Sequence, residues 1–148
     1  MKKTICLACA FALLLATWTT GRAKAASRCV PNKRFVVLSG GLVSDTLTKL
    51  VWQQQASTTT MTWAVAQTYC PSGFRLPTVK EMISIVDLTV ASPDPTIDQT
   101  AFPGTPAGTF WTSSPFAGSS GSVWYVSFST GNANIHDVSV SSNVRCVR

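Results

Sequence analysis

The sequence predicts an α+β domain. Two short helical stripes in the middle of the chain and a series of alternating strands in its carboxy-terminal third carry that expectation. The strands are short and separated by turns, which predicts a mostly antiparallel sheet carrying two helices.

The amino terminus has a different character. Lys2 and Lys3 precede an apolar run over 5–16, and a small-residue stretch ends in Ala23-Lys24-Ala25. This is the pattern of a secretory signal peptide over 1–25, cleaved after Ala25. The run is shorter than the roughly 20 residues of a membrane span. The expected location is therefore secreted, periplasmic or cell-surface, with no membrane span after signal removal. Residues 26–41 read as an amino-terminal arm and 42–148 as the folded domain.

Removal of residues 1–25 from the chain of 148 leaves 123, which suits one core. Of the 12 basic residues, Lys2, Lys3, Arg22 and Lys24 depart, so 8 remain against 6 acidic ones. Those that remain are scattered, and a nucleic-acid partner is not expected. Export also implies an oxidising compartment, where Cys29, Cys70 and Cys146 are the cysteines left. One of the three has no partner. Cys70 and Cys146 lie in segments patterned as structure and are paired here, which leaves Cys29, in the arm, outside the bridge.

In "GLVSDTLTKLVWQQ", two apolar stretches flank Asp45-Thr46-Leu47-Thr48-Lys49, which predicts a hairpin leading into a strand over 50–53. "TWAVAQTYC" spaces Trp63, Ala66 and Cys70 by three and four, a helical stripe with Thr62 as N-cap. Pro71 disfavours helical geometry at Cys70, and Gly73 suits a chain reversal. Thr78-Val79-Lys80-Glu81 is a capping box at the start of a second helix, which makes Glu81 structural. That helix places Val79, Met82, Ile83 and Val86 on one face. A loop over 89–108, rich in Pro, Thr and Ala, follows; loops of this length are usually functional or disordered.

The last third reads as the strands "TFWTSS", "SVWYVSFS", "ANIHDVSV" and "VRCVR", with a turn at Gly131-Asn132. In the second strand Trp124, Val126 and Phe128 alternate with Val123, Tyr125 and Ser127, so one face is apolar and the other mixed.

The ordered series "VSDTLTKLVWQ", "TWAVAQTYC", "GFRLPTVKEMISIVD", "FWTSS", "WYVSFSTG" and "VRCVR" resembles the bacterial Lcl C-terminal-like domain family over roughly 42–148. The resemblance implies a C-type lectin-like fold, with two helices packed on a twisted, mostly antiparallel sheet and a long loop region as binding surface. It also implies a disulfide from the first helix to the last strand, in agreement with Cys70 and Cys146. Closing a loop of that length contributes on the order of 4 kcal/mol in the chain-entropy picture. The activity it implies is adhesion-like ligand recognition.

Catalysis is not expected. "GFRLPT" followed by Glu also resembles part of the formylglycine-generating enzymes, but these need a reactive cysteine pair, and a Cys70–Cys146 bridge leaves none. His136 stands beside Asp137, yet no G-x-S-x-G turn accompanies them, and His136 reads as a surface or sheet-edge residue. No metal or other cofactor is expected. Calcium-dependent lectins use a Glu-Pro-Asn or Gln-Pro-Asp loop and a Trp-Asn-Asp strand, which are missing here, and Asp87, Asp94 and Asp98 read as turn formers.

The expected function is a binding module for an extracellular glycan or protein ligand, acting without calcium. The alternative is a structural envelope component. If Trp124, Val126 and Phe128 face the core, Tyr125 and Ser127 face outward, with His136 beside them and Phe116 and Asn132 at the rim. An aromatic ring stacks on an apolar patch of sugar or peptide, while amide and imidazole supply hydrogen bonds.

Overall fold

The computed structural model describes residues 34–91 and 93–148. The signal peptide expected over 1–25, the first half of the arm (26–33), and with it Cys29, lie outside the described residues.

The domain is an α+β mix with two antiparallel sheets where the sequence predicts one. The first sheet has the order β1-β2-β3, formed by Phe35–Leu38, Leu42–Asp45 and Val51–Gln53. Its first strand falls in the stretch read as an arm. Ser39-Gly40-Gly41 joins β1 to β2 with positive φ at both glycines, a conformation that side chains resist. The predicted Asp45 hairpin forms around the buried Asp45 carboxylate. Its oxygens accept hydrogen bonds from the Leu47 amide at 2.9 Å and the Thr48 hydroxyl at 2.8 Å. The Arg34 guanidinium reaches both oxygens, at 3.0 and 2.7 Å. Burial pushes the Asp45 carboxyl upward, but the Arg34, Thr48 and Leu47 hydrogen bonds outweigh it and hold the pKa below its ordinary value.

Helix α1, Trp63–Tyr69, stops at Cys70, and the chain reverses through Gly73 at φ 80°. Thr62 occupies the N-cap position, but contrary to expectation its side chain makes no capping hydrogen bond. Helix α2, Val79–Ser84, has the predicted capping box: the Thr78 hydroxyl accepts from the Glu81 amide, and the Glu81 carboxylate accepts from the Thr78 amide at 2.7 Å. The face read for α2 needs one correction. Met82 and Ile85 are buried whereas Ile83 is exposed, because the helix ends at Ser84 and the chain turns Ile85 inward.

Among the described residues the segment after α2 contains no strand or helix, as expected, but much of it is core. Ile97, Ala101 and Phe102 are buried, and the Thr96 amide and hydroxyl both donate to the Phe128 carbonyl, at 2.7 and 3.0 Å. Apolar burial and these hydrogen bonds hold the stretch 96–102 against the core.

The second sheet has the order β4-β5-β6, formed by Thr109–Pro115, Ser122–Ser127 and Ala133–Asp137. Apolar residues cover both of its faces. Phe110 and Val126 pack with Trp52, Met82 and Phe102 in one cluster, while Trp111 and Val123 pack with Ala66, Leu76 and Cys146 in another. The "VRCVR" segment is not a full strand. Val147 within it forms single bridges with Trp52 and Arg75, and Asn143 just before it bridges Phe110. Backbone amides of Val51, Gln53 and Ser57 donate to Arg148, Cys146 and Val144 along this seam. The Cys70–Cys146 disulfide, with Cα atoms 5.7 Å apart, ties the end of α1 to it.

Candidate functional site

The five residues expected to form a binding face do not assemble as one surface. Tyr125 and His136 do meet, their rings stacked at 3.9 Å with 14° between planes. Trp111 lies edge-on to His136 at 6.0 Å. Ser127 is buried, and its hydroxyl pairs with that of Ser129 at 2.7 Å. Phe116 packs edge-on against Trp124, in the alternate set of β5 residues to Tyr125, and Asn132 is exposed at the turn. The reason is the second apolar cluster. It covers the face that alternation alone leaves to solvent, so Val123 is buried and Tyr125 is half-buried, while Trp124 is only half-buried instead of forming core.

His136 is half-buried on β6, and burial lowers its pKa from the ordinary value. As neighbours on β6, His136 and Asp137 point to opposite faces. The Asp137 carboxylate accepts from the Ser139 hydroxyl and amide. The loop acids behave as turn formers: Asp87 accepts from the amide and hydroxyl of Thr89, and Asp98 from the amides of Thr100 and Ala101. Among the described residues no group of three His, Cys, Asp or Glu side chains could hold a metal ion.

An open cavity of about 330 Å³ lies elsewhere, lined by Trp63, Gln67, Arg75, Leu76 and Ser113. Trp63 and Gln67 stand four apart on α1 and share a face. The Trp63 indole donates to the Thr112 carbonyl at 2.9 Å, which fixes the ring. Ser113 is held on β4 by its amide, which donates to the Pro77 carbonyl at 2.8 Å. Arg75 grips Glu81 with two bonds of 2.8 and 2.7 Å. Its hydrogen bonds bring the Glu81 pKa down to about 2 against some desolvation, with Thr78 adding to the effect. The charge of Arg75 is thereby compensated within the molecule. The cavity thus presents a fixed aromatic ring, an amide, a hydroxyl and a neutralised guanidinium. Such a set can stack on an apolar surface and exchange hydrogen bonds.

The sequence placed Trp63 on the helical stripe of α1 and did not single out Gln67 or Ser113. The available signal was the i, i+4 spacing of Trp63 and Gln67, but Ser113 joins them only through the fold.

Among the described residues, two small antiparallel sheets, two short helices and a disulfide to the carboxy-terminal segment define an α+β module. The chain belongs to the Lcl C-terminal domain family, whose model matches residues 41–148. No curated protein and no solved structure matches it significantly. Among the described residues no helix is long and apolar enough to cross a membrane.

Proposed function

We propose that the chain is an exported, non-catalytic binding module with a C-type lectin-like fold that recognises an uncharged glycan without calcium. The observation that carries this reading is the Trp63 cavity. Sugar rings present an apolar face for the indole and hydroxyls for Gln67 and Ser113, while the pairing of Arg75 with Glu81 removes the free cation that a phosphate or sulfate ligand would need. The lectin-like reading is supported by the disulfide from α1 to the final segment and by the long, core-anchored loop after α2. Tyr125 and His136 provide a second, smaller aromatic surface.

Binding of the purified protein to immobilised glycans, with and without EDTA, tests the reading. The expected result is a defined set of neutral glycans bound equally in both conditions. Loss of binding on chelation, or a preference for sulfated glycans, contradicts it.

A further inference from the structure

A second cavity of about 720 Å³ shares no lining residue with the Trp63 cavity. One wall is β1 and the other comes from residues 85–87 and 98–101. All four consecutive residues from Arg34 to Val37 line it. Side chains that alternate between faces do not line one side four in a row, so β1 meets this groove edge-on.

The register identifies which backbone groups point into it. The Thr46 amide donates to the Arg34 carbonyl at 2.8 Å, so Arg34, Val36 and Leu38 bond toward β2. The Asp45 amide correspondingly turns the other way and donates to the Leu50 carbonyl at 2.9 Å. The amides and carbonyls of Phe35 and Val37 therefore point away from β2, along the outer edge of the sheet. No described strand pairs there. Val37 is 51% exposed. Open, apolar strand edges are templates for another strand.

The groove is also charged on one side. Arg34 is committed to Asp45, whereas Asp87 and Asp98 form no salt bridge among the described residues. Apolar Phe35, Ile85 and Val86 line the same groove.

We propose that this groove binds an extended segment of a partner protein, added as a fourth strand beside β1, with alternating apolar and basic side chains. Main-chain bonds to Phe35 and Val37 supply the strand pairing. An apolar side chain covers Val86, and a Lys or Arg reaches Asp87 or Asp98. This interaction is independent of glycan recognition at Trp63.

The test uses the full chain and a fluorescein-labelled heptapeptide of alternating lysine and valine, read by anisotropy, with a glutamate–valine heptapeptide for comparison. The lysine peptide is expected to bind at least about tenfold more tightly than the glutamate peptide. Asp87→Asn combined with Asp98→Asn keeps the turn acceptors and is expected to weaken binding about fivefold. Val37→Pro removes one outward amide while sparing the bonds to β2, and is expected to weaken binding about tenfold. A thermal melt shows whether each variant remains folded, and the double Asn variant decides the matter if Val37→Pro does not. No binding of the lysine peptide, equal binding of both peptides, or unchanged binding by the double Asn variant overturns the proposal. So does a solution dimer that Val37→Pro dissolves, because the groove then belongs to a second copy of this chain.

Discussion

Glu81 does two things at once: it completes the capping box of α2 and neutralises Arg75 at the edge of the Trp63 cavity. Its pKa is about 2 in the folded protein, below its ordinary 4.5, so the folded state binds fewer protons than the unfolded chain between those values. The stability this carboxylate contributes is present above about pH 4.5 and is lost as pH falls toward 2. Glu81→Gln keeps an acceptor for the cap but loses the ion pair. Because the Arg75 side chain is 52% exposed, the expected cost is only about 1 kcal/mol at neutral pH. Urea titrations at pH 7 and pH 3 check it: the difference between variant and wild type should shrink at the lower pH. Trp111 and Tyr125 form a second contrast. Trp111 is fully buried and its indole donates to the Met61 carbonyl at 2.7 Å, so Trp111→Ala should cost about 3–5 kcal/mol. Tyr125→Ala loses a half-buried ring stacked on His136 and should cost about 1–2 kcal/mol in thermal melts. The period of two in β5 was legible in the sequence, but the second covering layer was not. It comes from α1 and the corner after it, which reach that face only through tertiary contact.

At the scale of elements, the carboxy-terminal segment replaces a shared strand as the link between the two sheets. It bonds to β3 on one side and to the β4 backbone on the other, and the disulfide fixes it to α1. Cys146 is fully buried, so replacing both Cys70 and Cys146 with alanine removes a covalent tie and some packing together. The expected loss is about 3–5 kcal/mol, measured as the change in urea midpoint of the double variant. Reduction of the wild-type protein should reproduce most of that loss. The elements with local chemistry were legible in the sequence: the Asp45 turn, the end of α1 at Cys70-Pro71, and the Thr78–Glu81 capping box. Strand β1 was signalled by Gly40-Gly41 between two apolar pairs, a hairpin cue that lay in a stretch read as an arm. The division into two sheets had no local signal, since it depends on where the final seven residues lie.

For the whole molecule, the most informative buried group is Arg145. It is fully buried without a carboxylate, donating to the carbonyls of Gln53 and Gln54 and to the Thr105 hydroxyl, with its guanidinium 4.7 Å above the Phe102 ring. Burial lowers its pKa to about 9, which still leaves it charged at neutral pH. One side chain thus joins the first sheet, the long loop and the carboxy-terminal segment. Arg145→Met strands three acceptors and should cost about 3 kcal/mol or more, whereas Arg145→Lys keeps the charge but loses the fork and should recover part of it. Denaturant midpoints of the two variants check that order. We propose that this joined scaffold presents Trp63, Gln67, Arg75 and Ser113 as a recognition cleft. Titration of a neutral glycan selected from the immobilised set, into wild type and Gln67→Ala, tests it most directly. Gln67 is exposed on α1, so the substitution should leave the melting midpoint unchanged. Affinity is expected to fall about tenfold at that unchanged midpoint. Wild-type affinity in a folded Gln67→Ala protein contradicts the assignment of the cleft.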